Sequence, residues 1–150
     1  MKSKVNSTVI LKQYGSLKGK FEKLGLNLSD AIELLLKEED VPYLSITSRV
    51  KDSNSLIKKI EKKNYSDSLT EIEDLCGIRI ICYYQSDVEK ICSILIKELS
   101  VSEDVNKVDN LDFDQFGYRS HHLIAKIKEE WLNTPNYRGL ENLKAEFKAE

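Results

Sequence analysis

A chain of 150 residues amounts to about one ordinary domain and is long enough to bury a core. Its 41% hydrophobic and 32% charged residues describe a globular protein and exclude a disordered one. A formal net charge of −2 excludes a protein that coats duplex nucleic acid through a global positive field, although Lys and Arg cluster locally between Arg49 and Lys63.

In chain order, the first forty residues are expected to be helical, with Ser29-Asp30 capping a helix that carries Ile32, Leu34, Leu35 and Leu36. Pro42 ends that region, and the β-branched and aromatic residues of 43–50 predict a strand. Ser53 or Asn54 is expected to cap a second helix, which runs through Leu56, Ile57 and Ile60 to about Lys63. Thr70 should start a short helical piece leading to Asp74. Residues 77–84 predict a buried strand, too short and too rich in isoleucine for a helix. Ser86 is the expected cap of a third helix, with Val88, Ile91, Cys92, Leu95 and Ile96 at helical spacing. Strands are expected near 100–108 and 118–128, and a last one opens near Leu143 and is still in progress at Glu150. Strands alternating with helices imply an α+β fold, a sheet with helices packed on it. A single domain of residues 1–150 is expected, helical over 1–41 and sheet-containing over 43–150, and its abrupt end suggests one piece of a longer protein.

Three cysteines, Cys76, Cys82 and Cys92, lack C-x-x-C spacing and fit neither a disulfide framework nor a zinc site, so they read as small core residues. No apolar stretch approaches the roughly twenty residues that span a bilayer. The N-terminal Met-Lys-Ser-Lys-Val has neither the apolar run nor the small-residue cleavage pattern of a signal peptide. The cytoplasm is therefore the expected location, with no membrane partner.

Chemistry concentrates in three places. Arg49 and Lys51 are two apart and leave one face of an extended segment, while Ser55 and Lys59 are four apart and share one helix face. Four phosphate-seeking groups thus converge where a strand runs into a helix, whose first N–H groups already favour an anion. The competing reading is a solvated basic helix, since Lys62 and Lys63 extend the run. Asp74 precedes the buried strand and is placed to hold Mg²⁺ through a carboxylate plus phosphate oxygens, with a turn aspartate as the alternative. Arg79 interrupts the isoleucines of that strand; read as buried, it needs an anionic partner, either a structural carboxylate or a substrate phosphate. In 116–122, Tyr118, Ser120 and His122 share one strand face that continues into Lys126 and Lys128. Arg119 and His121 begin the other face, continued by Leu123, Ala125 and Ile127. Tyr118 offers a ring for base stacking, worth about 1–3 kcal/mol, and Gly117 permits a close approach. The adjacent histidines diverge on a strand, so no shared metal ion is expected.

Together these clusters resemble the synthetase domain of the RelA/SpoT family over roughly residues 43–128. The resemblance rests on R-x-K-x-x-x-S-x-x-x-K (Arg49, Lys51, Ser55, Lys59), D-L-x-x-I-R (Asp74, Ile78, Arg79) and G-Y-x-S-x-H (Gly117, Tyr118, Ser120, His122). It implies a nucleotidyltransferase-like mixed sheet flanked by helices, and transfer of pyrophosphate from ATP to the 3′-hydroxyl of GDP or GTP to make (p)ppGpp. On that basis Arg49, Lys51, Ser55, Lys59 and Arg79 would bind ATP, and Asp74 would ligate Mg²⁺. Tyr118 would stack on the acceptor guanine, with Ser120 and His122 beside it. The family's next motif, E-x-Q-x-R-T, supplies a second carboxylate that ligates Mg²⁺ or activates the 3′-hydroxyl. Glu150 is the expected first residue of that motif, and Glu146 competes for the role. His121 stands where an aliphatic residue is usual, and 129–141, with Trp131 and Pro135, reads as an inserted loop. No His-Asp dipeptide is present, so the alarmone hydrolysis of the family's other half is not expected. A toxin-like relative acting on the 3′ end of tRNA, a nucleotide-binding module without turnover, and a homo-oligomer all remain open.

Overall fold

The structure is a computed structural model that describes residues 7–63, 74–108 and 119–150. The expected helical piece after Thr70, and Gly117 and Tyr118, lie outside the described residues.

Helix α1 (Ser7–Glu38) exists because Tyr14, Phe21, Leu24, Leu28, Ile32 and Leu36 recur at helical spacing, and all six are buried. Ser29 is not a cap. It lies inside this helix and its hydroxyl donates to the Gly25 carbonyl at 2.8 Å, the local bond that lets a serine sit in mid-helix. The helix ends where Asp40 takes a left-handed conformation (φ 55°) and Val41 N–H reaches back to the Leu36 carbonyl at 2.9 Å. Strand β1 (Ser45–Val50) follows. Helix α2 (Ser53–Lys63) is capped by Asp52, one residue before the expected serine: its carboxylate accepts the Ser55 N–H at 2.7 Å. That bond is the main reason the Asp52 carboxyl is held below its ordinary pKa.

Strand β2 (Cys76–Ile81) leads to helix α3 (Gln85–Glu98), whose N-cap is Tyr84 and not Ser86, with no side-chain cap. Val88, Ile91, Cys92 and Leu95 are buried as expected, whereas Ile96 is exposed. Strands β3 (Ser100–Val108) and β4 (Arg119–Lys126), a short 3₁₀ helix (Glu129–Asn133) and β5 (Ala145–Ala149) complete the described elements. The segment read as a loop thus contains that short helix and is tied to α1, where the Tyr137 hydroxyl donates to the Asn27 carbonyl at 2.8 Å.

The strands lie in the order β1-β2-β5-β4-β3. β2 and β5 run parallel and the other neighbours antiparallel, a mixed sheet in an α+β fold. Period-2 alternation sorts the side chains. Ile78, Ile80, Leu123, Ala125, Ala145, Phe147 and Ala149 belong to the core on the side where α1 and α3 pack. Gly25 brings α1 close to that side: a Cβ there would lie 3.2 Å from Ser48 Cβ and 3.3 Å from Cys76 Sγ. The opposite face is left to Thr47, Arg49, Gly77, Arg79, Glu146, Lys148, Ser120 and His122. The cysteines are free, and burial pushes the Cys76 and Cys92 thiols up to about 12 and Cys82 to about 11, in keeping with packing residues and not nucleophiles.

Candidate active site

The polar face of the sheet carries a cleft of about 270 Å³ lined by residues of β1, β2, β5 and their ends: Thr47, Arg49, Lys51, Asp74, Gly77, Ile78, Arg79, Glu146 and Lys148. Sheet register explains the company. Arg49 pairs with Gly77, which pairs with Glu146; Thr47 pairs with Arg79, Arg79 with Lys148, and Lys148 with His122. Each row crosses the sheet on one face, with neighbours roughly 4.8 Å apart.

At the β1–α2 end, Asp74 receives two ammonium groups: Lys51 Nζ at 2.8 Å and Lys59 Nζ at 2.6 Å. Burial raises the pKa of this carboxyl, but the hydrogen bonds and charges of Lys51 and Lys59 outweigh burial and hold it below its ordinary value. Lys51 is itself anchored from below, because the buried Tyr14 hydroxyl donates to its carbonyl. Burial pushes that phenol up to about 12. Lys51 N–H also bonds to the Leu75 carbonyl at 2.9 Å, joining the end of β1 to the start of β2. Two cations with one carboxylate leave a net positive site, suited to an anion that replaces the carboxylate on the lysines.

The sequence-expected residues therefore divide. Arg49, Lys51, Lys59, Asp74 and Arg79 come together around one cleft. Ser55 does not line it; its N–H serves the α2 cap. Arg79 is not the buried arginine that the strand pattern suggested: its side chain is 55% exposed on the cleft face and its Nε lies 3.3 Å from Glu150 Oε1. Ser120 is buried on β4, and its hydroxyl lies 3.1 Å from His122 Nε2, which fixes the direction of that ring. His121 points to the other face and pairs with Asp104 of β3. Of the two competing glutamates, Glu146 lines the cleft with Asp74. Glu150, only 8% exposed, lies outside that lining between Arg79 and Lys148, whose Nζ is 3.3 Å from Oε2. Sequence reasoning missed Lys148. The signal was present, since in 145–149 a lysine two residues after Glu146 must share its face.

The donor set fits a magnesium ion. Asp74 and Glu146 offer hard oxygen ligands in one cleft, while no group of three or more His, Cys, Asp or Glu gathers among the described residues. Mg²⁺ commonly binds in this way, taking one or two carboxylates and completing its shell from phosphates and water.

A five-strand mixed sheet thus carries helices on one face and a cation-rich cleft on the other. A model of the region found in RelA and SpoT proteins matches residues 48–137, and the chain belongs to this family. It is 34% identical over 113 residues to GTP pyrophosphokinase YjbM of Bacillus subtilis, covering 69% of this chain and 50% of that protein. It is 33% identical over 104 residues to GTP pyrophosphokinase YwaC of the same organism, covering 64% of this chain and 48% of that one. The chain thus spans about half the length of the curated relatives it matches. Among solved structures it is similar to small alarmone synthetase 2 of Bacillus subtilis (TM-score 0.71, 23% identity, 92% of this chain and 72% of that one). It is also similar to small alarmone synthetase 1 of that organism bound to its product pppGpp (TM-score 0.69, 20% identity, 93% and 73%). These likenesses show the alarmone synthetase fold. No helix among the described residues is long and apolar enough to cross a membrane.

Proposed function

We propose that this chain is a pyrophosphokinase domain that moves the β,γ-pyrophosphate of ATP to the 3′-hydroxyl of GDP or GTP, making (p)ppGpp. The observation that carries the reading is the joining of Lys51 and Lys59 to Asp74 inside a cleft that also holds Arg49, Arg79 and Glu146. Arg49, Lys51 and Lys59 bind the donor phosphates, exchanging Asp74 for phosphate oxygens as the lysines' partners. Arg79 reaches the same anion from β2. Asp74 and Glu146 would hold Mg²⁺, which when bound neutralises phosphate charge and orients the donor. Glu146 is also the cleft carboxylate able to accept the proton of the attacking hydroxyl. Read from Glu146, the E-x-Q-x-R-T pattern places Lys148 where Gln is usual and Glu150 where Arg is usual. Tyr118, by family resemblance, stacks on the guanine, and His122, aligned by Ser120, meets the acceptor from β4. Little covalent chemistry falls to the protein, so its contribution is positioning and electrostatic stabilisation of the transferring group.

The test is product formation. Purified chain, ATP, Mg²⁺ and GDP or GTP should yield a more highly phosphorylated guanosine nucleotide on anion-exchange chromatography, with AMP in equal amount. Modification of tRNA from ATP with no reaction on GDP or GTP would replace this reading with the toxin-like one, and nucleotide binding with no transfer to either would leave a binding module.

A further inference from the structure

The cleft face bears a second carboxylate that carries two cations. Glu150 contacts Arg79 Nε through Oε1 and Lys148 Nζ through Oε2, both at 3.3 Å, and is itself 8% exposed. Both cations line the cleft while their shared counter-ion does not, so Glu150 holds the two charged heads side by side at the cleft wall. Lys148 keeps about a third of its side chain exposed, and Arg79 has further N–H donors beyond the Nε that meets Glu150. This group repeats the pattern of Asp74 with Lys51 and Lys59, displaced toward the middle of the sheet. Register sets its place: Lys148 stands between Arg79 of β2 and His122 of β4, two strands and roughly 10 Å from β1.

Transfer between two nucleotides needs two anion stations, one for the donor's phosphates and one for the acceptor's 5′-phosphates, on either side of the attacked phosphorus. Resting on the function proposed above, which gives the β1–α2 station to the donor, we propose that Lys148, oriented by Glu150, receives the 5′-phosphates of the acceptor guanosine nucleotide. Lys148 thereby sets acceptor preference by phosphate number. Lys148 pairs with His122 of β4, which the function proposed above gives to the acceptor, and with Arg79 of β2, the strand that stands between β1 and β5. A point charge at this position rewards each added acceptor phosphate and is indifferent to the base.

The proposal is tested by calorimetric titration of the full chain with GMP, GDP and GTP, and separately with a non-hydrolysable ATP analogue, in the presence of Mg²⁺. Wild type should bind GDP and GTP more tightly than GMP. Lys148→Met should weaken GDP and GTP by about tenfold, the loss of one charge-assisted contact, with GMP and the ATP analogue within about twofold of wild type on the same scale. Lys148→Arg, which keeps the charge, should retain most of the preference, and unchanged melting of both variants excludes a folding defect. An unaltered preference in Lys148→Met overturns the proposal. A tenfold loss of the ATP analogue alone also overturns it, by moving Lys148 to the donor. Wild type that binds the ATP analogue and no guanosine nucleotide overturns the function proposed above and this inference together.

Discussion

Asp74 is the shared anion of Lys51 and Lys59. In the function proposed here it gives them up to the donor phosphates, so one carboxylate would serve both stability and binding. Its depressed pKa sets the sign of the pH dependence: ionised Asp74 contributes stability above its unfolded value near 3.8, and that contribution is lost as pH falls through the lower folded value. Asp74→Asn leaves two partly buried ammonium groups without their counter-ion and should lower Tm by roughly 2–6 °C at neutral pH. The gap from wild type should hold down to about pH 5, begin to narrow as pH falls below the unfolded value and close only as pH falls through the lower folded one. Melting curves from acid to neutral pH check this; a gap that is absent at pH 7, or that persists undiminished in strong acid, contradicts the ion-pair account. At the same scale, the sequence reading sets Glu150 first in the E-x-Q-x-R-T motif with Glu146 as its competitor, although their spacing alone does not separate them. Four residues apart on a strand, they share one face, and only the parallel pairing of Gly77 with Glu146 puts Glu146, and not Glu150, level with the cleft that Asp74 lines.

Among the elements, α1 does more than cover the sheet. Tyr14 reaches from its buried face to the carbonyl of Lys51, coupling the helix to the residue that leads from β1 into α2. Tyr14→Phe keeps the ring and removes that hydrogen bond, leaving a carbonyl unsatisfied at the cleft wall. The expected cost is about 1 kcal/mol, or about 2–4 °C in Tm, with weaker ATP-analogue binding because Lys51 loses its support. Unchanged melting together with unchanged binding would show that Lys51 is placed without Tyr14. Element type was legible in the sequence because hydrophobic period is strong in α1, β2 and α3. Element ends were not. Ser29 looks like a cap but sits in a helix that continues through it, since Leu24, Leu28 and Ile32 keep the same buried face. Asp52 outcompetes Ser53 because its carboxylate accepts the Ser55 N–H, a detail of chain direction that composition does not carry. Arg79 looked buried because its neighbours Ile78 and Ile80 are, whereas the alternation of β2 turns it with Gly77 to the cleft face.

For the molecule as a whole, a five-strand mixed sheet separates a hydrophobic side held by α1 and α3 from a polar side that concentrates charge. The family could be read from its motifs and the mixed sheet from that resemblance, and Arg49, Lys51 and Lys59 were expected together because residues at a strand–helix junction are local in sequence. The station of Glu150, Arg79 and Lys148 could not, since it is made by pairing β2 with β5 across about seventy residues of chain. The central claim is that this face transfers a pyrophosphate group, and the most direct measurement follows the β-phosphorus of ATP. With ATP radiolabelled there, incubation with Mg²⁺ and GDP or GTP should place the label in the guanosine product and leave unlabelled AMP, and Lys51→Ala should abolish the transfer. Label retained in ADP while only the γ-phosphoryl group moves, or label remaining in ATP, would contradict the account.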